Sequence, residues 1–341
     1  MRKGVNPAKL EDNKVENESF HQVIVPIYLP NLEGYYKEGL EILKLCLESI
    51  YLTVHDKTYV SVVNNGSCEE VKVFLDELLK LDKIQEVIHT SAIGKINAIA
   101  KGLAGHNFDL VTITDADVLF TNGWQKAVYE IYEAFPKAGA VGTTPNPLAI
   151  NRYTENIFFD NFFNQNFKFY SLKEKTGNDI DFFFKSIGWK GVKSNLHTLK
   201  SFALSIKGIK ATIGTGHFSA TYKSCLLNKF YNRNVVLDKI SSDSDKDYLD
   251  LPSIKKGHWR LATFENFTYH MGNHIENWMY TVLENTTNEK DSLNVKLAND
   301  IGFNYYYLNK FVNKFFFKTT LFKKYLSSKG LSQKEVEEFL L

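Results

Sequence analysis

The chain has 341 residues, 44% of them hydrophobic, enough to bury a full α/β core and to carry additions to it. Its 41 basic and 39 acidic residues leave a formal charge of only +2, so no general basicity draws nucleic acid, and none is expected as a partner. Three cysteines, Cys46, Cys68 and Cys225, lie far apart without CxxC spacing, which excludes a disulfide framework or a zinc cluster and fits a reducing cytosol.

Residues 1–20 are charged and asparagine-rich without periodicity and read as a polar tail. From Gln22 to Tyr28 a short apolar run, punctuated by Pro26 and Pro30, predicts a strand. Leu40, Leu43, Leu47 and Ile50 then recur at helical spacing. The unit repeats, with a strand at Tyr59–Val63, a turn at Asn64–Ser67 and a helix at Glu69–Leu81 that places Val73, Leu75, Leu78 and Leu79 on its apolar positions. Val87 and Ile88 mark a third strand, followed by a helix at Ile96–Leu103, a buried-type strand at Leu110–Thr114 and a helix at Gly123–Phe135. Strands alternating with helices of this length predict a Rossmann-like, mostly parallel sheet with helices on both faces. Such sheets bind ligands outside the carboxyl ends of their strands.

After Ala138–Gly142 the character changes, and Thr143–Pro147 marks the boundary between a half at 21–145 and a second at 146–284. Residues 151–210, rich in Phe, Asn and Lys, are expected to form acceptor-side structure. From about Asn285 the chain reads as a helical extension, 285–341, in which Ser332 and Glu335 have capping-box spacing. The polar N-terminus has no apolar leader, and no run of about 18 apolar residues occurs, so neither a signal peptide nor a spanning helix is expected.

The strongest local signal is Thr112-Ile-Thr-Asp-Ala-Asp-Val-Leu119, an apolar strand ending in two carboxylates one residue apart. Side chains at i and i+2 share a side of a strand, so Asp115 and Asp117 converge and repel unless a cation neutralises them. A hard divalent ion bound to a diphosphate does so, and it stabilises charge on a leaving phosphate. The alternative is a solvated Asp-x-Asp turn.

In order and spacing, Val23–Pro26, Val62–Ser67, Gly94–Gly102 and Thr114–Asp117 resemble family 2 glycosyltransferases with the GT-A (nucleotide-diphospho-sugar transferase) fold. The likeness runs over 21–145 and more loosely over 211–275. It implies that Pro26, Ile27, Tyr28, Asn64 and Asn65, with Gly66 and Ser67, hold the nucleoside of a nucleotide-sugar. Asn64 and Asn65 stand where the family has Asp, and an amide still both donates to and accepts from a base edge. A UDP-sugar is the favoured donor. Lys95 would meet the diphosphate and Asn97 the nucleoside. Asp117 would bind the metal directly, with Asp115 acting on the sugar or through water.

The same resemblance assigns the base. Ser244-Asp-Lys-Asp247, followed by Lys256-Gly-His-Trp-Arg260, matches the family's Glu-Asp-x-Asp stretch with Ser for Glu, making Asp245 the general base and Asp243 the alternative. The three aspartates could equally decorate a solvated helix start. His270, in Phe267-Thr-Tyr-His-Met-Gly272, resembles the family's histidine near the metal, with His274 as substitute. Its nitrogen favours Mn²⁺ over Mg²⁺, though either ion is a candidate cofactor. Gly214 and Gly216, with His217, resemble the glycine-rich stretch lining donor sugar and acceptor. No QxxRW signature is apparent, which argues against a processive synthase.

In Phe303–Lys318, Phe311 and Phe315 lie four apart, as do Lys310, Lys314 and Lys318. Packing of the aromatics onto the catalytic domain is the expectation, and contact with an anionic membrane bearing a lipid-linked acceptor is the alternative. The resulting picture is a cytoplasmic, inverting, metal-dependent transferase acting on a glycan or lipid-linked acceptor, peripheral to the inner membrane surface under that alternative. A sugar nucleotidyltransferase and a non-catalytic nucleotide-sugar binding protein are the competing readings.

Overall fold

The computed structural model describes residues 4–5, 18–188, 195–231, 244–288, 290, 292–298 and 306–340. Much of the N-terminal tail, and the alternative base Asp243, lie outside the described residues. The first half alternates as its periodicities predict over β1 (His21–Ile27), α1 (Gly39–Thr53), β2 (Thr58–Asn65), α2 (Glu69–Lys80), β3 (Glu86–Thr90), α3 (Lys95–Leu103), β4 (Leu110–Thr114) and, after an unpredicted short strand β5 (Val118–Phe120), α4 (Trp124–Ala134). β1 pairs in parallel with β2, His21 opposite Thr58 and Ile27 opposite Asn64, and on its other edge with β4. Both faces are covered. Val23, Val25 and Ile27 pack with α1, α2 and α4 in one core, while Ile24 joins Ile96, Ile99 and Leu103 of α3 in the other. Gly102 permits the close approach of α3, since a Cβ there would lie 3.0 Å from Ile24 Cγ2 and 3.2 Å from Val63 Cγ2.

Beyond α4 come β6 (Ala138–Gly142), α5 (Glu155–Asn161), β7 (Phe167–Ser171), α6 (Glu174–Ser186), α7 (Leu196–Leu199), β8 (Lys200–Ile206), β9 (Ile209–Ile213) and β10 (Ser219–Lys223). After these lie α8 (Leu251–Lys255), β11 (Trp259–Thr263), β12 (Thr268–His270) and α9 (Asn277–Glu284). One 10-stranded sheet takes the order β3-β2-β1-β4-β10-β6-β11-β9-β8-β7, and β12 pairs with β5 in a separate two-stranded sheet. The mostly parallel character expected of the sheet holds for β3 to β4 and for β6 with β11, while β10 is antiparallel to both neighbours and the β11-β9-β8-β7 edge is antiparallel. Short hairpin connections such as that between β8 and β9 can only join antiparallel strands.

Three local expectations are corrected. The predicted turn at Asn64–Ser67 begins later, because both asparagines belong to β2 and the reversal falls at Gly66, φ +81°. On α2 the buried positions are Val71, Leu75 and Leu78, while Val73 and Leu79 are exposed. The extension is not helical from Asn285: among the described residues its helices are α10 (Tyr306–Val312), α11 (Thr320–Ser328) and α12 (Gln333–Phe339). The capping box is present, Ser332 Oγ accepting from Glu335 N and the Glu335 carboxylate accepting from Ser332 N.

Candidate active site

The carboxyl ends of β1, β2 and β4 open into two adjoining pockets that share Tyr28 as a wall. One, of about 220 Å³, is bordered by Tyr35, Tyr36, Asp115, Asp117 and Asn273. The other, of about 500 Å³, is bordered by Pro26, Ile27, Asn65, Gly94, Lys95 and Ser244. Parallel strands end at one edge, and the loops that leave them must diverge, which leaves this concavity.

Asp115 follows the last residue of β4, and its N–H donates to Phe218 O at 2.8 Å beside β10. Its carboxylate takes an ion pair from Lys95, the first residue of α3. Burial alone would lower the Lys95 pKa, but Asp115, with Asp245 and Asp117 farther out, outweighs it and holds the ammonium above its ordinary value. Lys95 is therefore charged at neutral pH. Ser244, the neighbour of the half-buried Asp245, borders the same pocket as Lys95.

Asp117 is as half-buried as Asp115. Its Oδ1 is buried without a hydrogen-bond partner, and burial pushes its carboxyl above the ordinary carboxylate range, with His270 pulling the other way. His270 comes to it through the small sheet, in which His270 opposes Val118 and Met271 N donates to Asp117 O at 2.8 Å. His270 Nε2 lies 3.4 Å from Asp117 Oδ2, and His270 Nδ1 is buried without a partner. Buried polar atoms are ordinarily satisfied, so the unpartnered Asp117 Oδ1 and His270 Nδ1 leave each side chain with unused bonding capacity. Among the described residues no group of three His, Cys, Asp or Glu is arranged to hold a metal, and the Asp115 carboxylate is turned to Lys95. Asp117 and His270 are side chains of types that could hold a divalent ion. His274 is instead paired with Glu38 at 2.9 Å.

The two asparagines have different fates. Asn64 Oδ1 accepts from Ser67 N at 2.9 Å and its Nδ2 meets His89 Nδ1 at 2.9 Å, so both ends serve the turn and β3. Asn65 Oδ1 accepts from Ile93 N at 2.7 Å, fixing the loop before α3, and the residue borders the larger pocket. Asn97 is buried, its Nδ2 bound to Ile93 O and its Oδ1 without a partner. Gly214 has φ +87°, and a Cβ would lie 2.5 Å from Ala149 O, so no other residue fits its place. Gly216 precedes His217, whose Nε2 lies 2.6 Å from Asp250 Oδ1. The buried Arg260 holds that same oxygen at 2.6 Å and donates to Thr215 O at 2.8 Å, so an enclosed ion pair pins the glycine-rich segment.

Tyr35, Tyr36, Asn273 and the Asp250–Arg260 pair were not singled out from the sequence. An arginine inside the apolar run Trp259–Thr263 does signal a buried counter-ion, but nothing local names Asp250. Among the described residues no helix is long and apolar enough to cross a membrane.

No curated protein matches the sequence. Among solved structures, the mannosyltransferase PcManGT from Pyrobaculum calidifontis, in complex with GDP-Man and Mn2+, is 18% identical with a TM-score of 0.39, over 72% of this chain and 55% of that one. Residues 1–349 of S. aureus TarS are 12% identical with a TM-score of 0.42, over 74% of this chain and 60% of that one. The chain thus spans less than two thirds of either. Residues 34–189 match the family model described as glycosyl transferase family 2, and over that segment the family 2-like reading of the motifs stands.

Proposed function

We propose that the chain is an inverting, metal-dependent glycosyltransferase that moves a sugar from a nucleoside-diphosphate sugar, with a UDP-sugar favoured, to a hydroxyl of a glycan or glycoconjugate acceptor. The observation that carries this reading is Asp117, whose Oδ1 is buried without a partner and whose Oδ2 lies 3.4 Å from His270 Nε2, on the same side of the site as a charged Lys95. Asp117 and His270 would hold Mn²⁺ or Mg²⁺, which supplies positive charge to the leaving diphosphate. Lys95 adds a second cation on the same side. Asp245 takes the acceptor hydroxyl's proton as its oxygen bonds to the anomeric carbon, and the old anomeric C–O bonding pair leaves with the nucleoside diphosphate. Asn65 and Tyr28 border the space for the nucleoside, with residues 21–145 as the donor half and 146–284 as the acceptor half. A cytoplasmic enzyme is the corresponding location.

The nucleotidyltransferase reading lacks the glycine-rich loop it needs after β1, where the chain has Pro26-Ile-Tyr-Leu-Pro30. The test is product analysis of the purified chain with a panel of nucleotide-sugars and Mn²⁺. Nucleoside diphosphate released from one donor, and lost in Asp117→Ala, supports the transferase. Pyrophosphate formed from a sugar phosphate and a nucleoside triphosphate reassigns it to the nucleotidyltransferases, and binding without turnover makes it a binding module.

A further inference from the structure

The aromatic-basic segment divides into two faces. Phe316 and Phe317 turn inward, their rings 6.2 and 5.0 Å from that of the buried Phe158 on α5. Asn313 Nδ2 donates to Glu155 Oε1 at 2.8 Å, a second tie to α5. Tyr307, Phe311 and Phe315, four apart, remain 81%, 58% and 49% exposed, and the Phe311 and Phe315 rings contact each other at 4.5 Å in water. Phe159, Phe162 and Phe163, the last 91% exposed, extend the surface from α5, with Phe162 5.7 Å from Phe316. An apolar patch of this kind on an element already anchored to the core marks a docking surface.

Its charge names the occupant. From Ile301 to Lys334 the sequence holds seven lysines and no acidic residue. Lys310, Lys314, Lys318, Lys323 and Lys324 are exposed, and Lys314 lies over the Phe315 ring at 5.5 Å. Aromatic rings flanked by lysines match a surface that is apolar below and anionic above. We propose that this face docks on the anionic surface of a lipid bilayer. A pocket of about 490 Å³ lies between it and the catalytic segment, bordered by Tyr306 and Lys310 on one side and Lys246 and Asp247 on the other. Given the transferase reading, that pocket admits a membrane-borne acceptor toward Asp245, but the docking itself does not depend on that reading.

The test is sedimentation of the full chain with vesicles of phosphatidylglycerol and phosphatidylcholine, against phosphatidylcholine alone, with no donor present. Binding to the anionic vesicles only is expected, weakened roughly fivefold for each lysine removed in Lys314→Gln and Lys318→Gln at moderate salt. Phe311→Ser with Phe315→Ser should abolish it. These side chains are exposed, so an unchanged melting temperature checks that the variants are folded. Absence of binding, equal binding to neutral vesicles, or binding that survives loss of both phenylalanines overturns the proposal. Binding to a soluble polyanion without vesicle binding also overturns it, as does self-association that these substitutions abolish while vesicles stay unbound.

Discussion

Replacing Asp117 by Asn should stabilise the protein in chelator while removing its response to Mn²⁺. The substitution keeps the volume and exchanges a charged orphan for a neutral one. A buried group without a partner costs about 1–3 kcal/mol, more when charged, so the exchange should gain about 1–2 kcal/mol after the lost attraction to His270. At roughly 2.1 cal/mol/K per residue, 341 residues give an unfolding entropy near 0.7 kcal/mol/K, so the melting temperature should rise by about 1.5–3 °C. With Mn²⁺ and a nucleoside diphosphate at about a hundred times the dissociation constant, wild type should gain about 2.7 kcal/mol, or roughly 4 °C. The variant should keep only a small part of that gain, so the stability order reverses between the two conditions. Differential scanning calorimetry in chelator and in Mn²⁺ with nucleotide reads both quantities. A variant less stable in chelator, yet as responsive to Mn²⁺ as wild type, would mean that Asp117 is a structural acid and the metal binds elsewhere.

Asp245→Asn should lower kcat by roughly 10²–10⁴ with donor affinity unchanged, measured by turnover and by nucleotide calorimetry; unaltered kcat would transfer the role to Asp243. The acid limb of stability should come from the buried histidines. Burial lowers the His55 pKa to about 4 and depresses that of His21 too, while Tyr129 Oη bridges their rings. Folded histidine is thus neutral where the unfolded chain protonates near pH 6.5, so stability is full above about 6.5 and falls toward pH 4, by up to about 3 kcal/mol for His55 alone. Urea melts across that window check it; stability flat from pH 7 to 4.5 would refute it.

How far the site could be read from the chain follows from what local pattern encodes. Strand and helix periods report which face of a segment is apolar, and that sufficed for β1 to β4, for α4 and for an Asp115–Asp117 pair at a strand's end, but not for the three-residue β5. Period also misled where the apolar residues exceeded one face, as on α2, where Val71 rather than Val73 is buried because the sheet covers only one stripe.

The sequence by itself determined an α/β chain with its acids at the carboxyl edge, because burial period and strand ends are local properties. Only the tertiary structure decided that β10 inserts antiparallel between β4 and β6, that β12 carries His270 to Asp117, that Lys95 meets Asp115, and that Asp250 answers Arg260. Each joins segments distant along the chain, and such pairing is set by how whole faces pack together, a property no local window contains.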